Sequence, residues 1–320
     1  MARSLSLALD VLDLIAKASS KSLSISEICK SLKIARSDLI SNLILVQENV
    51  PSLSFNDDKV SLSDSFERLD ANFLFKNAVD KGRVCVVDEI DSTNLEFLRN
   101  VEALTEGDTV LAELQTAGRG RRGNSWQSSL GKQVLMSMCS FFPLNSTLNA
   151  LPLVIGMAVA SALEGIGFTD IKVKWPNDLY FKEGKVAGIL IESVVVQDQV
   201  CAVIGIGINV LNDGLVKGYD LERKVACLED IVQEKSSRNL IALTIINALR
   251  NACREYKKDG FIKFKDKWDK YDYLCGKKVR ISDNAEEKVG ICCGINDEGE
   301  LLLKSEGNIV AITSGHINFI

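Results

Sequence analysis

The residues from Gln115 to Trp126 read Gln-Thr-Ala-Gly-Arg-Gly-Arg-Arg-Gly-Asn-Ser-Trp, with three arginines and three glycines between 118 and 123. Glycines let a backbone approach a ligand closely and adopt positive φ. Guanidinium groups bind phosphate and carboxylate oxygens as planar forks. No Gly-Lys-Ser/Thr follows, so this is not a Walker loop. A mobile basic loop of this kind suits attack of a carboxylic acid on the α-phosphate of ATP, where charge grows on the phosphoryl oxygens and on departing pyrophosphate. Taken alone, the run is equally a solvated turn or a nucleic-acid patch.

Three further stretches carry polar groups at strand ends. Lys174-Trp175-Pro176-Asn177-Asp178-Leu179-Tyr180 places Asn177 and Asp178 after a proline-fixed turn, where ligands commonly bind in α/β folds. Lys185 opens the apolar run to Glu192, beside a site wall or simply on a solvated hairpin. Gly205-Ile206-Gly207-Ile208-Asn209 alternates glycines within a strand, a mark of close approach by a ligand or another backbone. Asp91-Ser92-Thr93-Asn94 offers small hydrogen-bonding side chains at a strand-to-helix turn, and in isolation is also an ordinary helix N-cap.

The elements that must hold these residues follow from periodicity. Strand-like runs at 84–87, 109–114, 134–141, 171–174, 188–195 and 200–208, with long helices at 153–165 and 240–256, predict a mixed α/β domain over 76–272. Ahead of it, Leu5, Leu9, Leu12 and Ile15 recur at helical spacing. Ser24-Ile25-Ser26-Glu27 has the form of a capping box, and a third helix carries Leu39, Leu43 and Val46 on one face. A hairpin around Asn56–Lys59 completes what reads as a winged helix-turn-helix over 1–63, or as a plain three-helix packing module. Residues 64–75 read as a polar link leading into helix. Short strands with glycine turns over 273–320 predict a small β-barrel.

Composition removes several classes. The chain has 320 residues, 46% hydrophobic and 25% charged, so a core of useful size is available. A net charge of −5 excludes coating nucleic acid by bulk charge. Asp10 and Asp13 interrupt the N-terminal apolar stretch, which argues against a signal peptide, and no membrane span is expected. Nine cysteines without a CxxC pair, and a single histidine, suit reduced thiols in a cytoplasmic protein with no protein-held metal site.

Taken in order, the motifs at 91–94, 118–123, 174–180, 185–192 and 205–209 resemble those of the bifunctional bacterial biotin–protein ligase and biotin-operon repressor family. The resemblance spans nearly the whole chain. Gly118-Arg119-Gly120-Arg121-Arg122-Gly123 together with Lys174-Trp175-Pro176-Asn177-Asp178 is its most specific part, a pair that lipoate ligases lack. It implies an α/β (α+β) catalytic domain with a winged helix-turn-helix before it and an SH3-like barrel after it. It implies that biotin and ATP form biotinyl-5′-AMP and that biotin passes to a lysine of the biotin carboxyl carrier protein of acetyl-CoA carboxylase, with Mg²⁺ bridging the nucleotide phosphates.

Residue by residue, Ser92, Thr93, Asn94 and Gln115 look like contacts to the biotin ring system. Arg119, Gly120 and Arg121 look like the biotin and phosphate loop. Lys185 resembles the cation at the biotin carboxylate and α-phosphate, and Asp178 lies near the incoming lysine. Arg119, Arg121, Lys185 and Asp178 thus form the expected catalytic set. Gly118, Arg121, Arg122, Trp126, Asn177 and Asn209 are expected on the nucleotide side. The stretch after Asn209 departs from the family's adenylate-covering loop, so no adenine contact is placed there. The family represses biotin genes as an adenylate-bound homodimer on operator DNA. Here residues 1–63 balance seven Lys/Arg against seven Asp/Glu, and Arg36, Ser37, Ser41 and Asn42 are the expected DNA-facing residues. A ligase with a purely structural winged helix, or a biotin-sensing regulator without transfer activity, are the alternatives.

Overall fold

A computed structural model describes residues 2–47, 50, 52–80, 82–212, 224–232, 237–283 and 286–320. The N-terminal part contains α1 (Ala2–Lys17), β1 (Ser22–Ser24), α2 (Ile25–Leu32), α3 (Arg36–Gln47), β2 (Leu53–Phe55) and β3 (Lys59–Leu62). The capping box forms as the sequence predicts. Ser24 N–H donates to Glu27 Oε2 at 2.8 Å, and Glu27 N–H donates to Ser24 Oγ at 3.2 Å. Lys33 ends α2 in the left-handed conformation and leads into α3. Leu9, Leu12, Ile15, Leu39 and Leu43 are buried in one core, and the three strands pair antiparallel in the order β1-β3-β2.

Asn42 departs from its expected outward position. It is 8% exposed, and its Oδ1 has no hydrogen-bond partner among the described residues. The reason is spacing: 39, 42, 43 and 46 follow the i, i+3, i+4, i+7 rule, so Asn42 shares the face of Leu39, Leu43 and Val46. Arg36, Ser37 and Ser41 are exposed.

The central sheet has seven strands: β4 (Val84–Ile90), β5 (Thr109–Gln115), β6 (Gln133–Pro143), β7 (Ile171–Lys174), β8 (Asp178–Phe181), β9 (Gly184–Val196) and β10 (Gln199–Asn209). Their order is β4-β5-β6-β10-β9-β8-β7, with only the β4–β5 pair parallel. Strand alternation sorts side chains to two faces. Val134, Met136, Met138, Ile189, Ile204, Ile206 and Ile208 join the main core with α6 (Leu151–Glu164) and α7 (Arg238–Asp259). The opposite face carries α5 (Thr93–Arg99), whose Phe97 packs with Val110, Cys139, Cys201 and Val203. This second face, beyond the end of α5, is where the polar motifs gather. The chain then passes through α8 (Ile262–Lys265) and α9 (Trp268–Tyr271) to the last strands. These are β11 (Lys278–Asp283), β12 (Glu286–Ile295), β13 (Leu301–Ser305), β14 (Asn308–Ile312) and β15 (His316–Phe319), antiparallel in the order β14-β13-β12-β11-β15. Buried Trp175 donates its indole N–H to Gly299 O at 3.0 Å, joining this sheet to the central one.

The polar link is less free than its composition suggests. Glu67 accepts hydrogen bonds from Ser237 Oγ, Arg238 N and Asn239 Nδ2 at the start of α7, where a carboxylate also meets the positive end of the helix dipole. Leu69 N–H donates to Glu113 Oε1 at 2.7 Å, and Asp70 N–H to Asn239 Oδ1 at 2.7 Å. α4 (Ala71–Asn77) follows at once, capped by Asp70. Arg68 reaches back to Asp10 of α1 and across to Asp88 of β4.

At the centre of this junction, Arg238 is 2% exposed. It pairs with buried Glu113 at 3.0 Å and donates to Gln133 O at 2.8 and 3.1 Å. Breaking a buried pair by removing one charge leaves the other unpaired. Glu113→Gln is therefore expected to destabilise the protein by about 3–5 kcal/mol, read as a lower midpoint in urea unfolding.

Candidate functional site

Gly188 of β9 and Gly207 of β10 stand directly opposite each other in the ladder. A Cβ on Gly207 would lie 2.4 Å from Trp126 Cε2, and one on Gly188 would lie 3.0 Å from Trp126 Cζ3 and from Lys185 Nζ. The alternating glycines of the sequence thus form a bare strip of backbone on which the indole lies. Lys185 Nζ stands 5.4 Å from the Trp126 ring centroid. The buried indole N–H of Trp126 has no partner among the described residues.

The basic loop that delivers Trp126 is a folded hairpin, tighter than the open loop its composition predicts. Trp126 N–H donates to Gly118 O at 2.9 Å, Gly120 N–H to Asn124 O at 2.7 Å, and Arg119 bridges to Ser125. Gly118 has no room for a side chain, since a Cβ there would lie 2.5 Å from Trp126 O. A 3-10 turn over Arg121–Gly123 forms the tip, with Arg122 exposed at φ 56°.

The arginines are aimed by partners on the sheet. Arg119 Nη1 lies 3.0 Å from Glu192 Oε1. Arg121 Nη1 donates to Asn177 Oδ1 at 2.9 Å, and Asn177 Nδ2 in turn donates to Ile189 O at 2.7 Å. Burial lowers the affinity of Arg121 for its proton and Arg122 adds to this, while Asp178 opposes both. An arginine guanidinium is a cation throughout the working range of a protein. Lys185 Nζ lies 2.8 Å from Asp178 Oδ1, although off the line of a hydrogen bond. Lys185, paired with Asp178, and Arg121, bonded to the neighbouring Asn177, therefore bring two cations to one part of the site, beside an aromatic ring. That arrangement favours an anionic ligand.

The other end of the site is a polar pocket around the start of α5. Ser92 caps this helix, and Thr93 N–H donates to Gln115 Oε1 at 2.8 Å. Asn94 Oδ1 accepts from Ser137 Oγ at 2.6 Å, and its Nδ2 donates to Glu192 Oε2 at 3.0 Å. Ser92, Thr93 and Asn94 are each at most 3% exposed. Gly205 leaves room for Asn94, whose Oδ1 a Cβ would approach to 2.2 Å.

Asn209 lies apart from the nucleotide-side residues in its bonding. Its Oδ1 accepts from Gln133 Nε2 at 2.9 Å, and its Nδ2 faces Lys185 O and Ala226 O at 3.3 and 3.4 Å. The amide is spent inside the protein, tying the end of β10 to the backbone of Lys185. Residues 213–223, which follow, lie outside the described residues. Sequence reasoning passed over Ser137, Gln133 and Glu192. Their signal was parity: a lone polar residue in an apolar strand, in step with Gly188, Gly205 and Gly207, must share their face.

The bare strip can be tested directly. Gly207→Ala is expected to push Trp126 off the sheet and red-shift the tryptophan emission, because Trp175 and Trp268 are 3% and 1% exposed and stay buried. An unchanged spectrum in a folded variant would contradict the seat described.

Comparison with known proteins then places the chain. Residues 67–209 match the Biotin/lipoate A/B protein ligase family, and residues 274–319 match the Biotin protein ligase C terminal domain. The bifunctional ligase/repressor BirA of Salmonella typhimurium is 35% identical over 267 residues, covering 81% of this chain and 80% of that protein. The biotin–[acetyl-CoA-carboxylase] ligase of Mycobacterium tuberculosis is 28% identical over 241 residues, 72% of this chain and 87% of that one. The solved biotin protein ligase of Aquifex aeolicus in complex with biotin and ATP superimposes with a TM-score of 0.63 at 29% identity, over 75% of this chain and 98% of that one. With a match of this length across both catalytic and C-terminal parts, the chain belongs to the biotin protein ligase family.

Proposed function

We propose that this chain activates biotin with ATP to biotinyl-5′-AMP and transfers the biotinyl group to one lysine of the biotin carboxyl carrier protein of acetyl-CoA carboxylase, in the cytoplasm. The observation that carries the proposal is the convergence of Arg121, Lys185 and Asp178 next to a Trp126 seat, with the Thr93–Asn94–Gln115 pocket at the other end. The pocket suits the hydrogen-bonding ring system of biotin, and the cations suit its carboxylate and the α-phosphate. In the first step a carboxylate oxygen attacks the α-phosphorus and pyrophosphate leaves. Arg119, Arg121 and Lys185 then stabilise the charge that grows there. In the second step the neutral amine of the carrier lysine attacks the mixed anhydride and AMP leaves.

Asp178, paired with Lys185, would be freed if Lys185 turned to the phosphate, and would then receive the incoming lysine. Gly118, Arg122 and Asn177 complete the nucleotide side, and Asn209 serves it through the backbone of Lys185. Mg²⁺ would be held mainly by the phosphate oxygens of ATP and would supply neutralisation of their charge. The two carboxylates at the site, Asp178 and Glu192, are each engaged by a cation, so the donor set fits an ion held by substrate.

The proposed domains are a winged helix-turn-helix (1–63), a linker (64–75), the catalytic domain (76–272) and an SH3-like barrel (273–320). We further infer homodimerisation on binding biotinyl-AMP and binding of operator DNA. A structural role for the winged helix is the second reading, favoured by one observation. Arg36, the only basic residue of α3, donates to Asp57 O at 2.6 Å in the wing.

The deciding experiment incubates the protein with ATP, biotin and a biotin carrier domain, and looks by mass spectrometry for one biotinyl adduct on a single lysine. Absence of both adduct and biotinyl-AMP would sink the reading. Lys185→Ala is expected to slow adenylate formation by about 10²–10³, more than it slows transfer from preformed biotinyl-AMP. Arg121→Ala is expected to speed release of the adenylate in stopped flow while biotin binding falls less. DNA binding is expected only with biotinyl-AMP present and with a shallow salt dependence, about one power of salt per phosphate contact. Tight binding by the ligand-free monomer would contradict this, and no binding in either state would leave the module structural.

A further inference from the structure

Glu192 has no part in the chemistry above, yet it sits where two halves of the site meet. Strand alternation puts it on the face of Gly188 and Leu190, and its side chain is 23% exposed. One carboxylate oxygen accepts from Asn94 Nδ2 at 3.0 Å, and both lie within 3.2 Å of Arg119 Nη1. Following the protons shows what this joins. Asn94 Oδ1 carries no hydrogen, so Ser137 Oγ donates to it at 2.6 Å. Ser137 Oγ also lies 2.7 Å from Thr93 Oγ1, whose own hydroxyl reaches Gln115 Oε1 at 3.1 Å. Thr93 N–H donates to Gln115 Oε1 at 2.8 Å. The chain of bonds starts at Gln115, just before the basic hairpin, and ends at Arg119 within it. It crosses α5, β6 and β9 on the way.

We propose that Glu192 is a positioning residue that fixes Arg119 and Asn94 for the acyl substrate and pins the basic hairpin to the sheet before ligand arrives. The proposal rests on the ligase reading. Arg119 uses only Nη1 for Glu192; its Nε and Nη2 make no hydrogen bond among the described residues. The carboxylate therefore holds the guanidinium by one corner and leaves the rest of the fork for an anion. A partly exposed ion pair adds little to stability. Its effect here is on order, because a group held near its working position loses less freedom when substrate binds.

The test compares wild type with Glu192→Gln and Glu192→Asp in the full chain, with cooperative unfolding confirmed for each. Glutamine keeps an acceptor for Asn94 but loses the charge that holds Arg119. Its KM for biotin is expected to rise about tenfold, the scale of one charge-assisted hydrogen bond. Its rate of transfer from preformed biotinyl-AMP is expected to stay within about threefold, since the lost contact is made before the chemistry. Trypsin should cut the ligand-free variant after Arg119, Arg121 or Arg122 several times faster than wild type, and saturating biotinyl-AMP should remove that difference. Glu192→Asp should recover most of both properties. A wild-type KM together with a wild-type cleavage rate in Glu192→Gln would overturn the proposal, as would an aspartate variant as impaired as the glutamine one. Should wild type form no biotinyl-AMP, the ligase reading fails, and the cleavage rates still decide whether Glu192 pins the hairpin.

Discussion

Three missing β-carbons, at Gly188, Gly205 and Gly207, set the terms on which everything else in the site is arranged. A sheet face normally carries a side chain every second residue. On β9 and β10 that row is interrupted, and the space it would fill is taken by Trp126 and Asn94. Both arrive from elsewhere in the chain. Trp126 comes from the basic hairpin and Asn94 from the first turn of α5. The flat backbone brings them within reach of Lys185 and Glu192, which project from β9 itself. Any side chain at Gly207 would meet the ring before the ring met the sheet.

Behind the face lies a rigid support. The buried Arg238–Glu113 pair fixes the carbonyl of Gln133, whose side-chain amide holds Asn209, whose own amide faces the carbonyl of Lys185. Each group in this series is a donor or acceptor that would be costly to leave unpaired in the interior. The series therefore has one satisfactory arrangement, which brings the Lys185 backbone into register with the end of β10. A flexible lysine side chain is useful as a reagent only when its root is held this firmly.

Much of this was legible before any coordinates. The capping box at Ser24, the helical stripe of Leu5 to Ile15 and six of the seven strands of the central sheet all rest on local periodicity or local bonding, which a sequence displays. β8 was not legible as a strand, because four residues after a proline turn carry too little alternation to be distinguished from the turn itself. Asn42 was misplaced for the opposite reason: a polar residue suggests an exposed position, but the helical spacing that buries Leu39 and Leu43 carries it inward. The partners of Asn209 were also hidden. A motif with a terminal asparagine announces an amide, but not whether a ligand or the protein will use it, and here Gln133 lies 76 residues away in the chain. Glu192 was visible as the last residue of a motif, and only the meeting of α5, β9 and the hairpin gives it partners.

The clamp on residues 67–70 bears on how the chain acquires its shape during synthesis. The N-terminal helices and strands are closed by contacts largely among themselves, so they can fold as soon as they emerge. Their direction relative to the rest is another matter. The bonds that grip Glu67 and Asp70 come from Ser237, Arg238 and Asn239, with Asp70 and its partner separated by 169 positions. Contacts so distant in sequence form late, and domains made early wait on those made afterwards. The grip on residues 67–70 is thus complete only once α7 has been made. A nascent chain stopped short of α7 would carry its N-terminal module without the residues that grip Glu67 and Asp70.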